Sequence, residues 1–271
     1  MKVSRALAAV LVLMLGLSIT QSSNAATPAP TNRYIAFLAQ ESGGYTTYEW
    51  AFQRTPSVVV YSDGLTISEV PYRTKIYPGP MVSAFLQKIE RGAVSRVLSG
   101  ATKVNLSDPN FDWGRTWITD VTDTVVLTQQ SPRSPRVSLS IYALAYSDNT
   151  IDPDKKAARK AANDFIDRVE NFSSDLYWTK SRPVIWKPTR WVYMAQAAQK
   201  DDFSVIRPWF GTKPLISGFK CQEMNQFENS RFNSLLPRLN QSSRFTSGGK
   251  TWRIVVRPLF PHESGCQDII R

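Results

Sequence analysis

Ser57-Val58-Val59-Val60-Tyr61-Ser62-Asp63-Gly64-Leu65-Thr66-Ile67-Ser68-Glu69-Val70 is the stretch from which the fold of this chain is read. A β-branched run on each side of Asp-Gly predicts a tight hairpin, because both turn positions must tolerate positive φ. Upstream, Arg33 to Gln40 (RYIAFLAQ) and Tyr48 to Gln53 are β-prone and separated by Gly43-Gly44, which predicts two further strands. Downstream, Tyr77-Pro78-Gly79-Pro80 imposes a bend. Val82, Leu86, Ile89, Ala93 and Val97 then repeat at helical spacing, but Gly92 interrupts them. A strand from Val82 to Lys88 followed by a helix from about Glu90 to Ala101 is preferred over one long helix. Thr122 to Gln130 and Arg136 to Tyr146 alternate like half-buried strands around a Ser-Pro-Arg-Ser-Pro turn. Asp152 and Pro153 suit the N-cap and first position of a helix whose apolar face is Ala158, Ala161, Phe165, Val169 and Phe172. The expected fold class is α+β, an antiparallel hairpin sheet with helices packed on it.

After Trp178 the texture changes, with Trp186, Trp191, Tyr193, Trp209 and Phe210 lying among prolines in extended segments. Aromatics spaced in this way serve either as core or as a stacking platform for rings, and core is the reading taken. A helix is expected from about Phe227 to Leu239, with Phe232, Leu235 and Leu236 on its buried side, and a final strand from Thr251 to Val256 after Gly248-Gly249. The chain therefore divides into an α+β domain over residues 32–178 and a smaller, basic, Trp-rich α+β domain over 179–271.

Residues 1–25 read as a secretory signal peptide. Lys2 and Arg5 precede an apolar run from Ala6 to Ile19, and Ser23-Asn24-Ala25 offers small residues for cleavage. The run is too short to span a bilayer, which takes about twenty apolar residues. No cysteine follows it before Cys221, so a lipid-modified N-terminus is not expected. Residues 26–31 (ATPAPT) form a stiff spacer. In the oxidising compartment so implied, the two cysteines, Cys221 and Cys266, are expected to form a disulfide that pins the C-terminal unit.

Charge is lopsided. Without Lys2 and Arg5 the formal +11 becomes +9; residues 26–179 carry 16 basic against 16 acidic side chains, and residues 180–271 carry 15 against 6. The whole excess thus lies in the last third, a field that attracts anionic partners. The residues expected to bind such a partner are Lys213, Lys220, Arg231, Arg238, Arg244, Lys250, Arg253 and Arg257, with Arg253 and Arg257 sharing one strand face. The partner expected is an anionic envelope polymer or lipid surface, since nucleic acid is not a physiological ligand outside the cytoplasmic membrane.

Catalytic constellations are sparse. Ser217-Gly218-Phe219-Lys220, Ser147-Asp148-Asn149 and Lys250-Thr251 superficially match the boxes of serine penicillin-binding enzymes, but their order is wrong and Trp252 stands where the third box needs glycine. His262 is the one histidine, so a His-cluster metal site is excluded and any Ser-His-Asp triad would have to use it. Asp108, Asn110 and Asp112 alternate as calcium ligands do, but Trp113 occupies the position of the turn glycine and no glutamate closes the loop; calcium there stays open. Glu41, Glu49, Asp112 and Asp123 would have to meet in space to serve as paired carboxylates.

Tyr77-Pro78-Gly79-Pro80, Asp120-Val121-Thr122-Asp123-Thr124 and the closing run from Gly248 through Pro261 to Cys266 resemble signatures of secreted proteins and lipoproteins of actinomycete-type bacteria. The resemblance implies export and brings neither an activity nor a cofactor. The resulting expectation is a secreted, non-catalytic binding or envelope-interaction module for an anionic partner. The alternative is an extracellular hydrolase of cell-wall or polysaccharide material. A pocket holding two carboxylates favours the hydrolase, and a basic face favours the binder.

Overall fold

The structure, a computed structural model, describes residues 33–70, 78–146, 149–198 and 205–269. The expected leader (1–25), the spacer (26–31), Tyr77, Ser147 and Asp148 lie outside the described residues. Those described belong to one compact unit.

The central hairpin forms as its turn chemistry requires. β2 (Val58–Tyr61) pairs antiparallel with β3 (Leu65–Val70), with Val59 opposite Ile67. Asp63 Oδ1 accepts from the Leu65 N–H at 3.2 Å, and Gly64 sits at φ +90°. A Cβ there would lie 2.5 Å from the Arg91 nitrogen, so conformation and space both select glycine.

Around this hairpin a seven-stranded sheet assembles. Its members are β1 (Ile35–Ser42), β2, β3, β4 (Ala84–Ile89), β5 (Asp123–Thr128), β6 (Val137–Tyr142) and β7 (Val184–Ile185). They lie in the order β6-β5-β1-β2-β3-β4-β7, every pair antiparallel. Helices α2 (Arg91–Lys103) and α3 (Pro153–Glu170) cover one face through Val97, Ala101, Phe165 and Val169, against Phe37, Val58, Val60 and Val126. Asp152 caps α3 by accepting from the Asp154 N–H, with Pro153 in the first turn, as its sequence predicts.

Two expectations are corrected. Tyr48–Gln53 is a helix, α1, not a strand. Thr47 caps it by accepting from the Trp50 N–H, and its one buried side chain, Phe52, docks on a second sheet against Val192, Met194 and Val255. A long-range contact therefore overrides the β-propensity of Tyr48 and Trp50. In α3, Ala161 is exposed, and the buried stripe is Arg159, Ala162, Phe165, Ile166 and Val169. The stripe turns because the Arg159 Nη2 enters the core and donates to the carbonyls of Tyr142 and Ala143, both at 2.6 Å.

Helices α2 and α3 meet where no side chain intervenes. A Cβ on Gly100 would lie 2.4 Å from Phe165 Cε2, and the Phe165 ring stands edge-on to Phe37 at 5.9 Å. Gly100→Ala should therefore destabilise by about 1–3 kcal/mol through overpacking, despite the better helix propensity of alanine. Urea unfolding measures it; a stabilised variant would mean the helices part freely.

The second sheet comprises β8 (Trp191–Ala197), β9 (Val205–Pro208), β10 (Gly218–Glu223), β11 (Ser243–Ser247) and β12 (Lys250–Pro258), in the order β10-β8-β12-β11-β9. β9 and β11 run parallel and the other pairs antiparallel. α4 (Gln226–Leu235), with a capping box between Asn225 and Glu228, packs Phe232 against Trp191 on one face. The other face carries α1 and the Cys221–Cys266 disulfide. The fold is thus α+β with a disulfide-pinned C-terminal unit. Residues beyond 178 also complete the first sheet: β7 pairs with β4, and Trp186 and Phe260 pack on Phe85. Among the described residues no helix is long and apolar enough to cross a membrane.

Candidate functional site

The eight basic residues singled out in the sequence divide into two groups. Arg257 is buried, and its guanidinium forks onto Glu263 at 2.9 and 2.6 Å while Nε donates to the Arg54 carbonyl at 2.8 Å. Arg244 is buried and donates to the carbonyls of Gln241 and Ser243. Arg253 is half-buried, 3.4 Å from Glu49. Lys213, Lys220, Arg231, Arg238 and Lys250 are exposed. Lys213 and Lys250 share one end of the second sheet: the Leu215 N–H donates to Ser247 Oγ at 3.0 Å, and Ser247 pairs with Lys250 across the β11–β12 turn. Lys220 lies on edge strand β10, Arg231 on α4 and Arg238 in the 3-10 turn that follows. The five exposed cations therefore lie on different elements and connections of the second sheet and the helix packed on it.

A concave feature lies elsewhere, and it is acidic. A pocket of about 620 Å³ opens where β1 ends, β2 begins and β3 ends. The last turn of α3, Trp50 and Arg54 from α1 and its exit, and Val256 and Pro258 from β12 complete its walls. Among the described residues four carboxylates line it: Glu41, Glu69, Asp167 and Glu170. Thr55 Oγ1 donates to Glu69 at 2.9 Å. Burial lifts the Glu170 carboxyl above the ordinary glutamate range; the charges of Asp167, Glu69 and Glu41 push it the same way, and the Ser57 hydroxyl opposes them. Burial likewise raises Asp167, helped by Asp164. A carboxyl lifted in this way beside other carboxylates is an arrangement suited to proton donation. Of these residues only Glu41 was legible as a candidate, because strand order brings positions 41, 69 and 170 together.

The other acids do not join them. Glu49 faces Arg253, Asp123 stands opposite Tyr142 and Ser42, and Asp112 is ion-paired with Lys155. Asp108 Oδ1 and Asp112 Oδ1 accept from the N–H groups of Asn110 and Gly114, each at 2.9 Å. Asp108 Oδ1 and both carboxylate oxygens of Asp112 are thus engaged with backbone and lysine. Among the described residues no group of three or more His, Cys, Asp or Glu side chains is placed to hold a metal ion.

His262 meets a tyrosine and not a serine: Nδ1 lies 2.8 Å from the Tyr61 hydroxyl. Desolvation of the ring lowers its pKa below the ordinary histidine range, with Glu263 opposing, although the residue keeps an exposed edge. The aromatic segment is largely core. Trp191 and Tyr193 are buried, and Trp209 packs on Tyr193, Phe210 and Phe245. Trp178 is the exception, stacked under Arg96 at 4.0 Å and open to solvent. No known protein family, curated protein or solved structure matches the chain.

Proposed function

We propose that this is a secreted, non-catalytic envelope-interaction module that holds an anionic polymer or lipid surface through Lys213, Lys220, Arg231, Arg238 and Lys250. One observation carries the reading: the entire mature excess of positive charge belongs to residues 180–271, and these five side chains are exposed there. The apolar leader-like N-terminus and the disulfide agree with an oxidising, extracytoplasmic site of action.

The test uses the whole mature chain, because β7 and Phe260 tie the basic segment into the first sheet. Each lysine near an anionic lipid surface contributes about 1 kcal/mol. Lys213→Gln combined with Lys250→Gln should therefore weaken binding to phosphatidylglycerol vesicles by about tenfold or more, while Lys156→Gln with Lys160→Gln on α3 should not. Binding should also fall steeply as salt shortens the Debye length below about 10 Å. Retention that is indifferent to salt, or equal in both double variants, overturns the reading.

A second reading, an extracellular hydrolase of polysaccharide, is favoured by the pocket. Glu170 would serve as the acid and a neighbouring carboxylate, Glu41 or Glu69, as its partner. Release of reducing ends from wall polysaccharide, abolished in Glu170→Gln, is the result this reading requires.

A further inference from the structure

We infer that the pocket beside Trp50 is a carbohydrate-binding subsite, and that its ligand is an amino-sugar glycan. This deepens the hydrolase reading by naming the ligand of the same pocket, but it requires occupancy alone and no bond cleavage. It is independent of the basic surface.

The inference starts from Trp50. Phe52 is the one buried residue of α1, and Trp50, 60 % exposed, lines the cavity with the Arg54 guanidinium over its ring at 5.9 Å. An indole face presented beside a concave site is an apolar, flat surface on which the C–H face of a pyranose ring can lie. The lining completes the match. Gln40, Gln53, Asn163 and Gln241 supply planar amides from four separate segments, and such groups bridge pairs of ring hydroxyls. Behind them lie Phe85, Ile166 and Val256, an apolar floor of the kind that holds a ligand with few placed polar groups. The volume, about 620 Å³, lies within the range of small-molecule sites.

The sign of the charge then selects among glycans. Among the described lining residues Glu41, Glu69, Asp167 and Glu170 outnumber one cation, Arg54, whose Nη1 donates to the Gly43 carbonyl at 2.6 Å while its Nε and Nη2 are buried without a hydrogen-bond partner. An acidic or phosphorylated sugar would be repelled, so the polymer that the basic surface attracts is not the ligand here. A protonated amine on the ring satisfies the carboxylates, whereas hydroxyls alone leave their charge uncompensated. A linear polyamine would answer the carboxylates but would leave the indole and the four amides without a role.

The experiment titrates the mature protein with glucosamine tetrasaccharide and follows tryptophan emission, with the N-acetylated tetrasaccharide and spermidine as comparison probes. Glucosamine tetrasaccharide should give a saturable change, and the N-acetylated form should bind at least tenfold more weakly. Trp50→Ala should weaken glucosamine binding at least tenfold by calorimetry. Asn163→Ala, on a different element, should weaken it severalfold with unchanged thermal unfolding, which separates lost contact from lost fold. Absence of any glycan response, an unaltered affinity in both variants, or spermidine bound as tightly as the sugar would overturn the inference. Binding without release of reducing ends would sustain it while ending the hydrolase reading. Loss of glycan binding with intact salt-sensitive retention on anionic vesicles would end it and leave the envelope-interaction reading standing.

Discussion

Glu263→Ala should destabilise the protein by about 3–5 kcal/mol, the cost expected when one partner of a buried ion pair is removed. The Arg257 and Glu263 side chains are 5 % and 6 % exposed and meet through two parallel hydrogen bonds of 2.9 and 2.6 Å. Glu263 also accepts from the Phe260 N–H at 2.7 Å, so one carboxylate closes the turn after β12 and neutralises the guanidinium. Alanine leaves that guanidinium buried without a counter-charge, its Nε still held by the Arg54 carbonyl. The distinction between a pair that is costly to break and one that is stabilising in itself can be measured. Arg257→Met combined with Glu263→Leu should cost far less than the single change, because apolar replacement of both partners removes the charge along with its counter-ion. Urea unfolding of the three proteins decides it. A single-variant loss below about 1 kcal/mol would mean that water reaches the pair.

The elements that formed as their sequence predicts are those whose cause is local. Asp63-Gly64 states its turn, Asp152-Pro153 its cap, and the alternation from Thr122 to Tyr146 its strand pair, because each depends on residues a few positions apart. α1 was read as a strand because its helix depends on Phe52 finding Val192, Met194 and Val255, about 140 to 200 positions away. The stripe of α3 was misplaced for a related reason: no hydrophobicity pattern announces that an arginine, Arg159, will cap a strand end from inside the core. The same limit applies to the basic set. Arg244, Arg253 and Arg257 carry the same formal charge as Lys213 and Lys250, and only tertiary structure divides those with internal partners from those facing solvent. The pocket was least legible, since Glu41, Glu69 and Glu170 become neighbours through sheet order and helix placement, which strand alternation alone does not specify.

Cys266→Ser should lower stability by about 4 kcal/mol. The disulfide closes a loop whose ends are 45 positions apart, and the chain-entropy model assigns roughly that figure to a loop of this length. The loss should appear first in a particular place. Cys221 lies on β10, an edge strand whose pairing with β8 is interrupted between Gly218 and Gln222, and Cys266 lies in the C-terminal tail. The tail is further held by the Cys266 N–H donating to Glu223 at 3.1 Å and by the two cysteines packing on Phe52 and Leu259. Without the covalent link, amide exchange should accelerate in β10 and residues 264–269 before it does in β12. Glu263 anchors the same tail from its other end, so the two lesions are not independent. If either loss frees the tail, Cys266→Ser with Glu263→Ala will cost less than the sum of the single changes, a coupling expected of groups that share one cooperative segment. Strict additivity would show instead that the ion pair and the disulfide stabilise separate parts, with the tail between them already free to open.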